Sequence, residues 1–259
     1  MSVLWALPLG LVIGTTLGAL GAGGGILTVP ALVYLLGQDA RAATTGSLLI
    51  VGVSALVGLL PHHMARNVRW RQGILFGALG LLGSWPGSYL AALADPDLLL
   101  VGFALLMLVV AALMVRRLSS TSRPAAVESP HLTRRRLAVL AGTAMGIGFL
   151  TGFFGVGGGF AVVPALTLVL GFPMPQAVGT SLLVIALNSG TALTARLTAG
   201  AGDLEWGLIV LFALGSVIGS LLGARIVARA NHRHLSIAFV AMLVAVAGVM
   251  LVQGVPAIL

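Results

Sequence analysis

Two stretches of the chain decide its fold: GALGAGGGILTVP at residues 18–30 and GFFGVGGGFAVVP at residues 152–164. Each carries a glycine triplet that is followed five residues later by a proline. In a first register, which places Gly18 on Gly152, the alignment runs without gaps to Ala55 on Ser189, with about fifteen identities in thirty-eight positions. In a second register, which places Trp70 on Trp206, the match resumes. The chain therefore contains an internal repeat.

The composition excludes a water-exposed globular protein. Of the 259 residues, 59% are hydrophobic and 8% are charged, whereas soluble domains carry about 25% charged residues. The +8 net charge comes from arginines that lie in predicted loops, which indicates membrane topology and not a nucleic-acid partner. The chain has no cysteine, so disulfides, thiolate metal sites and cysteine nucleophiles are excluded.

Ten apolar segments run along the chain, and most are long enough as helices to span a bilayer core of ~30 Å. The segments are 3–20, 25–36, 42–60, 73–94, 98–116, 137–154, 159–171, 176–196, 207–229 and 235–252. The second and seventh are much shorter than the others, and both follow the glycine triplets. These two are predicted to be broken or half helices, and whether 25–36 and 159–171 fully cross the bilayer stays open.

Arginine positions predict the orientation. Arg66, Arg69 and Arg71 follow the third segment, and six arginines flank the Ser/Pro-rich stretch after the fifth. The positive-inside rule makes both loops cytoplasmic. Five segments in each half mean that the halves enter the membrane in opposite senses, with both termini outside. We therefore predict an all-α integral membrane protein of two inverted five-segment repeats: an N-terminal repeat at 1–116, a cytoplasmic Arg-rich linker at 117–136 and a C-terminal inverted repeat at 137–259.

The glycine triplets are the first candidate binding site. Three consecutive glycines are poor helix formers, so a new helix can begin at the third one with its first N–H groups unpaired. Such groups at the middle of a bilayer need a ligand, water or a polar side chain, and the positive helix end favours an anion. The alternative is close packing of helices through small residues. The residues concerned are Gly23, Gly24, Gly25, Gly157, Gly158 and Gly159.

A second constellation lies near the start of the third and eighth segments. It contains Thr45 and Ser47 in the first half, and Thr180, Ser181 and, two turns further on, Asn188 in the second. Hydroxyl and amide groups coordinate anion oxygens without carrying charge, and the repeat brings a serine to the same point in both halves. The alternative is that each hydroxyl bonds back to its own helix, which is common in membrane helices.

These motifs resemble the sulfite exporter TauE/SafE family, also called the sulfonate uptake permeases. The resemblance rests on GxGGG…VP followed by GTSL, which the second half carries as Gly179-Thr180-Ser181-Leu182 and the first replaces by Thr45-Gly46-Ser47. It implies a multi-pass protein of the bacterial cytoplasmic (inner) membrane that transports sulfite, organosulfonates or related small anions. The expected partners are a small anionic substrate and the lipid bilayer, with homo-oligomerisation left open.

Acidic residues are predicted only at segment ends and in loops, so a carboxylate proton relay is not expected. No cofactor or metal is expected, and coupling to H⁺ or Na⁺ stays open. His62, Arg66 and Arg196 lie at segment ends, where they form either a charged vestibule that gathers anions or anchors to lipid headgroups.

Three functions are compatible with this pattern. A secondary transporter that moves a small anion by alternating access is favoured. A passive anion channel is the main alternative. A membrane-embedded enzyme is disfavoured because Ser47 and Ser181 have no histidine within the spans that would activate them.

Overall fold

The computed structural model describes residues 2–91, 96–119, 134–154, 159–198 and 204–258, and these ranges contain helices and no strands. Eight long helices are α1 (Ser2–Leu20), α3 (Ala40–Met64), α4 (Trp70–Ala91), α5 (Pro96–Ser119), α6 (Arg134–Phe154), α8 (Met174–Thr198), α9 (Trp206–Arg229) and α10 (His232–Ile258). Two short helices, α2 (Gly23–Pro30) and α7 (Gly159–Pro164), follow the glycine runs. The all-helical fold predicted from the sequence is confirmed.

Five helical stretches in the described residues are long and apolar enough to cross a membrane: Ala42–Met64, Leu137–Phe154, Met174–Arg196, Trp206–Val227 and Arg233–Val252. Large apolar side chains such as Trp85, Leu82 and Val252 are exposed on the outside of the helix bundle. A soluble protein would bury such side chains, whereas lipid solvates them. The predicted linker at 117–136 is helical at both ends, in α5 and α6, and its residues 120–133 lie outside the described ranges.

Close glycine contacts join α1 to α9 and α4 to α6. On α1, a Cβ added to either of two glycines one turn apart would meet the backbone of α9, and two glycines of α4 meet the backbone of α6 in the same way. In both helix pairs the residue numbers rise together, so the paired helices run in parallel. The pairs correspond to each other in the sequence repeat, since α1 aligns with α6 and α4 with α9. The contacts are Gly14 with Ser216, Gly18 with Ser220, Gly83 with Met145 and Gly87 with Phe149.

The helices α3 and α8 run antiparallel. Gly52 lies beside Ser189, and the His62 side chain, ten residues further along α3, lies beside Gly179, ten residues earlier on α8. These two helices align with each other in the sequence repeat, and together with the paired short helices they form the middle of the molecule. These two sequence-equivalent helices, α3 and α8, therefore pack against each other in opposite directions.

Both short helices end in the same way. After Pro30 the chain widens into a π-helical turn, Ala31–Leu35, and after Pro164 it does so at Ala165–Val169. Each turn is followed by a glycine with positive φ, Gly37 at +70° and Gly171 at +73°. Glycine is the residue that takes this conformation without steric cost, and it commonly terminates helices. The predicted ends of segments two and seven, at residues 36 and 171, lie at these turns.

Candidate functional site

The first helix break is built by Gly21. Its φ of +69° ends α1, and its N–H donates to the Leu17 carbonyl at 2.8 Å. The next helix, α2, begins at Gly23 with Ala22 as its N-cap, and no side chain caps it. Ala22 is fully buried. The start of α2 is thus a buried helix N-terminus whose own sequence supplies no hydrogen-bond acceptor for its first N–H groups.

The start of α7 lies against the start of α2. A Cβ added to Gly159 would lie 3.9 Å from the Ala22 carbonyl oxygen and 2.9 Å from Cδ1 of Ile185 on α8. Gly24, on α2, instead faces the Leu17 side chain. Of the glycines predicted to bind substrate, Gly23, Gly24, Gly25 and Gly159 lie where the two short helices begin, and Gly157 and Gly158 lie outside the described residues. The starts of the two short helices, far apart in sequence, therefore meet inside the protein at Gly159 and Ala22.

Ser181 of α8 contacts the first helix break directly. Its hydroxyl lies 2.9 Å from the Gly21 carbonyl oxygen and 2.8 Å from the Val178 carbonyl oxygen of its own helix, and its single hydrogen is shared between these two acceptors. Ser181 is fully buried. A side chain from the second half thus holds the glycine break of the first half, and its hydroxyl oxygen retains lone pairs that accept hydrogen bonds.

The predicted hydroxyls of the first half lie on α3. Ser47 donates to the Thr44 carbonyl at 2.8 Å, within its own helix. Thr45 is fully buried on α3. Ser47 therefore bonds back to its own helix, which is the alternative to a ligand contact.

Thr180 contacts the loop between α3 and α4. Its hydroxyl oxygen accepts a hydrogen bond from the Arg69 backbone N–H at 3.1 Å, and the Arg69 side chain donates through Nε to Oε1 of Gln176 at 3.1 Å. Gly179 is so close to this loop that an added Cβ would lie 2.6 Å from the Asn67 carbonyl oxygen. The loop is thereby fastened to the first turns of α8. Sequence reasoning used Arg69 only as a topology marker and missed this contact, for which the residue types carry no signal.

The three predicted vestibule residues differ in their surroundings. His62 is only 2% exposed, and its Nε2 lies 3.1 Å from the Gly18 carbonyl oxygen at the end of α1. Arg66 is exposed and has a φ of +57°, an uncommon value for a residue with a side chain. Arg196 is exposed at the other end of α8 and reaches the Thr44 hydroxyl at 3.4 Å. These residues do not form one cluster, since His62 and Arg196 lie at opposite ends of the α3–α8 pair.

Asn188 lies away from the meeting point of the glycine runs. It lines a cavity of about 10 Å³, enough for about one water-sized group, between α4, α6, α7 and α8. The cavity wall is otherwise formed by Phe76, Gly80, Ile147, Gly148, Thr151, Val162 and Val184. The Oδ1 atom of Asn188 is buried and has no hydrogen-bond partner in the protein. Two of the lining residues lie near the start of α7: Val162 is three residues after Gly159, and Val184 precedes Ile185, which Gly159 faces.

Comparison with known proteins identifies the family of this chain. Residues 6–250 match the model of the family described as sulfite exporter TauE/SafE. A probable membrane transporter protein of Xylella fastidiosa is 34% identical over 225 residues, covering 86% of this chain and 84% of that protein. The probable membrane transporter protein YunE of Bacillus subtilis is 30% identical over 253 residues, or 90% of each chain. A further relative, the probable membrane transporter protein MJ0441 of Methanocaldococcus jannaschii, is 27% identical over 261 residues, covering 94% of this chain and 93% of that protein. No solved structure matches the chain.

Proposed function

Because the chain belongs to the sulfite exporter TauE/SafE family, a family of membrane transporters and not of enzymes, we propose that it is a secondary transporter for a small anion such as sulfite or an organosulfonate. The anion crosses the cytoplasmic membrane by alternating access, either outward or inward. The observation that carries the proposal is the meeting of the two glycine-initiated helices in the interior, where the Gly159 Cβ position lies 3.9 Å from the Ala22 carbonyl oxygen.

The anion is held by the helix ends. The start of α2 is buried and has no side-chain cap, so its unpaired N–H groups and the positive end of its dipole stabilise a negative charge. Ser181 already lies at this break through its contact with Gly21. With a ligand present, the hydroxyl turns toward an anion oxygen at the cost of one hydrogen bond. Thr180 lies next to Ser181 on α8 in this proposal, together with the glycines of both runs. Ser47 and Thr45 occupy the equivalent point of α3, toward the other end of the α3–α8 pair, where they would contact the anion on the other half of its path.

The repeat is inverted. Three features of the helix packing support this arrangement: α3 and α8 are antiparallel, α1 pairs with α9 in parallel, and α4 pairs with α6 in parallel. A two-fold axis that exchanges the halves must then lie perpendicular to these helices, in the plane of the membrane. Transporters built from inverted repeats bind their substrates near the midplane at the interface of the repeats.

The orientation and the energy source complete the proposal. Arg66, Arg69 and Arg71 put the α3–α4 loop on the cytoplasmic side, and an odd number of segments in each half then puts both termini outside. The described helices carry their acidic residues at the ends, as with Asp39 before α3 and Glu205 before α9. Any coupling to an H⁺ or Na⁺ gradient therefore uses a histidine, the anion's own charge, or Na⁺ held by carbonyls and hydroxyls.

The test is flux into proteoliposomes, with sulfite, sulfoacetate, taurine, sulfate and lactate compared with and without pH and Na⁺ gradients. Saturable, gradient-dependent flux of one sulfur oxyanion supports the proposal and identifies the coupling ion. Absence of flux for every sulfur compound, with folded protein in the vesicles, removes the substrate class. Rates well above ~10³ s⁻¹, faster than typical turnover numbers, would identify a channel instead.

A further inference from the structure

The segment between α3 and α4, residues 65–69, lies across the first turns of α8 and is called the strap below. It leaves α3 in a sharp turn. The Arg66 N–H donates to the His63 carbonyl and the Asn67 N–H to the His62 carbonyl, each at 2.9 Å, with Arg66 at a φ of +57°. This is the hydrogen-bond pattern in which a left-handed residue ends a helix. The course of the strap is therefore fixed by its own backbone.

Polar contacts fasten the strap to α8. The Arg69 N–H donates to the Thr180 hydroxyl and the Arg69 side chain donates through Nε to Oε1 of Gln176, both at 3.1 Å. The Asn67 carbonyl oxygen lies so close to Gly179 that an added Cβ would come within 2.6 Å of it. These contacts join the first half of the chain to the second.

The strap also has a buried apolar side chain. Val68 is only 9% exposed, and it belongs to a hydrophobic cluster that includes Leu17 of α1, Leu59 of α3 and Leu182 of α8. Removing Val68 from this cluster would expose apolar surface of three helices. The strap thus holds α1, α3 and α8 together at this end of the molecule.

Continuous contacts connect the strap with the first helix break. The two residues of α8 that the strap touches most closely directly precede Ser181, whose hydroxyl bonds to the Gly21 carbonyl. The Gly21 N–H in turn donates to the carbonyl of Leu17, which shares the cluster of Val68. The strap therefore covers the break from the α3–α4 side.

The repeat shows that this packing belongs to one end of the α3–α8 pair. In the first register Gly179 corresponds to Thr45, and His62 to Arg196. At the strap end, the His62 Cβ lies 3.1 Å from the Cβ position of Gly179. At the other end the equivalent residue carries a branched side chain, and Arg196 reaches the Thr44 hydroxyl at 3.4 Å. Since even one Cβ at Gly179 would meet the strap backbone, a loop cannot pack on threonine in the same way.

The middle of the α3–α8 pair has a different property. The Cβ of Ser189 lies 3.2 Å from the Cβ position of Gly52. In the first register Gly52 corresponds to Ala186 and Ser189 to Ala55, so this contact lies within three residues of its own equivalent. The axis of the proposed inverted repeat passes through such a point. Rocking of the halves about this axis separates the ends of the pair and leaves its middle in contact.

We propose that the strap is the gate at the α3–α4 end of the transport path: it is fastened to α8 in this structure, and it detaches to let the anion pass. This inference rests on the proposed function, in which the anion is held where α2 begins. It gives the α3–α4 loop a role in the transport cycle in addition to its role in topology.

The experiment fastens the strap covalently. The chain has no cysteine, so the variant Arg69→Cys with Gln176→Cys has two thiols, at positions whose native side chains are joined by a hydrogen bond of 3.1 Å. A bifunctional methanethiosulfonate links them, and a phosphine reductant releases them. The probes are sulfoacetate and taurine, which unlike sulfite do not cleave disulfides. Their flux into proteoliposomes is expected to fall at least about tenfold on cross-linking and to recover on reduction.

The matched control links the middle of the α3–α8 pair. Gly52→Cys with Ser189→Cys places two Cβ atoms about 3.2 Å apart, close to the separation found in disulfides. After oxidation this variant is expected to keep its flux within about twofold. Undiminished flux of the protein with the linked strap would overturn the inference. Equal loss of flux in both linked proteins would overturn it as well, because any link to α8 would then stop the cycle.

A second measurement follows the strap itself. Val68→Cys places a single thiol in the cluster behind the strap, where a cationic methanethiosulfonate reaches it only after detachment. The labelling rate is expected to rise when sulfoacetate or taurine is added, and a rate that neither anion changes would refute the gate. This measurement decides if flux of the linked protein fails to recover on reduction.

The outcomes separate the gate from the proposed function. Absence of sulfoacetate and taurine flux in the wild type counts against the transporter. Flux in the wild type that persists after the strap is linked refutes the gate alone and leaves the transporter standing.

Discussion

Replacing Gly21 by alanine tests whether the helix break in the first half forms the binding site. Gly21 has a φ of +69°, and a Cβ there would collide with the Ser181 hydroxyl and lie 3.0 Å from the Val178 Cα. The left-handed conformation costs alanine about 1–2 kcal/mol. Loss of the Ser181 hydrogen bond to the Gly21 carbonyl adds about 1 kcal/mol. We therefore expect a total destabilisation of about 2–3 kcal/mol.

The matched control for this variant is Gly37→Ala. Gly37 has nearly the same backbone conformation, with φ of +70°, but an added Cβ would have no neighbour within 4 Å. It is expected to lose only the conformational term of about 1–2 kcal/mol. The difference between Gly21→Ala and Gly37→Ala therefore isolates the contact with Ser181 from the strain of a left-handed alanine.

Flux and stability are measured together on the two variants. Displacing the start of α2 and Ser181 by a few tenths of an ångström or more misplaces the groups proposed to hold the anion, so Gly21→Ala is expected to lower kcat/KM for the transported anion by more than about tenfold. Gly37→Ala is expected to stay within about twofold of the wild type. If Gly21→Ala transports like Gly37→Ala at a temperature where both are folded, the break at Gly21 serves packing alone and the site lies elsewhere.

Three further predictions concern the packing around the site. Gly14→Ala pushes a methyl group into the backbone of Ser216 and is expected to destabilise the protein by about 1–3 kcal/mol or more in a thermal melt. Gly142→Ala has open space around the added methyl group and is expected to leave the melting temperature unchanged or raised. Equal melting temperatures of the two variants would contradict the close contact between α1 and α9. Ser54→Ala removes the donor to the buried Ser216 hydroxyl and is expected to cost about 1 kcal/mol without changing anion affinity, so a large change in KM would refute its structural role. Arg69→Ala removes the side-chain hydrogen bond to Gln176 on α8 and is expected to lower the free energy of unfolding by about 1 kcal/mol with unchanged anion binding. An unchanged melting temperature would show that backbone contacts alone hold the α3–α4 loop against α8.

The helical architecture could be predicted because composition and segment length are properties of the sequence itself. The stretch 98–116 corresponds to α5 at Pro96–Ser119. The helix α7 begins at Gly159, the predicted third glycine, whereas α2 begins at Gly23, two residues before the predicted Gly25. Glycine and proline act on their own backbone, so their effects are local and visible in the sequence. The repeat adds to this, because a helix break predicted in one half is predicted at the equivalent position of the other half as well.

The direction of the hydrogen bonds could not be predicted. The sequence indicated that Thr180 and Ser181 are polar groups near a helix start, but adjacent residues on a helix point in different directions. Thr180 accepts from the backbone of Arg69, while Ser181 donates to Gly21. Which partner each hydroxyl meets depends on loop conformation and on the approach of helices that are distant in sequence, and residue types contain no signal for either.

The cavity beside Asn188 shows the opposite case, in which the signal was present in the repeat. The sequence indicates Asn188 as an amide two turns after Ser181, and its equivalent in the first register is Ser54. The missing step was to align the partner positions in the second register, where Gly80 stands for Ser216. A repeat therefore indicates where the packing of the two halves differs, since Ser54 and Ser216 form a polar pair between α3 and α9, whereas the equivalent positions on α8 and α4 carry Asn188 and Gly80.

Departures from symmetry also bear on the mechanism. His62 and Arg196 occupy equivalent positions in the first register, at opposite ends of the α3–α8 pair. His62 is buried against the Gly18 carbonyl, and Arg196 is exposed, with one contact to Thr44 at 3.4 Å. The two ends are thus packed differently around matching positions. A carrier with alternating access needs one end closed while the other is open, whereas a pore open at both ends has no need of this difference. In the proposed carrier, the end at His62 is therefore the one whose matching side chain is buried, and the end at Arg196 is the one whose matching side chain is exposed.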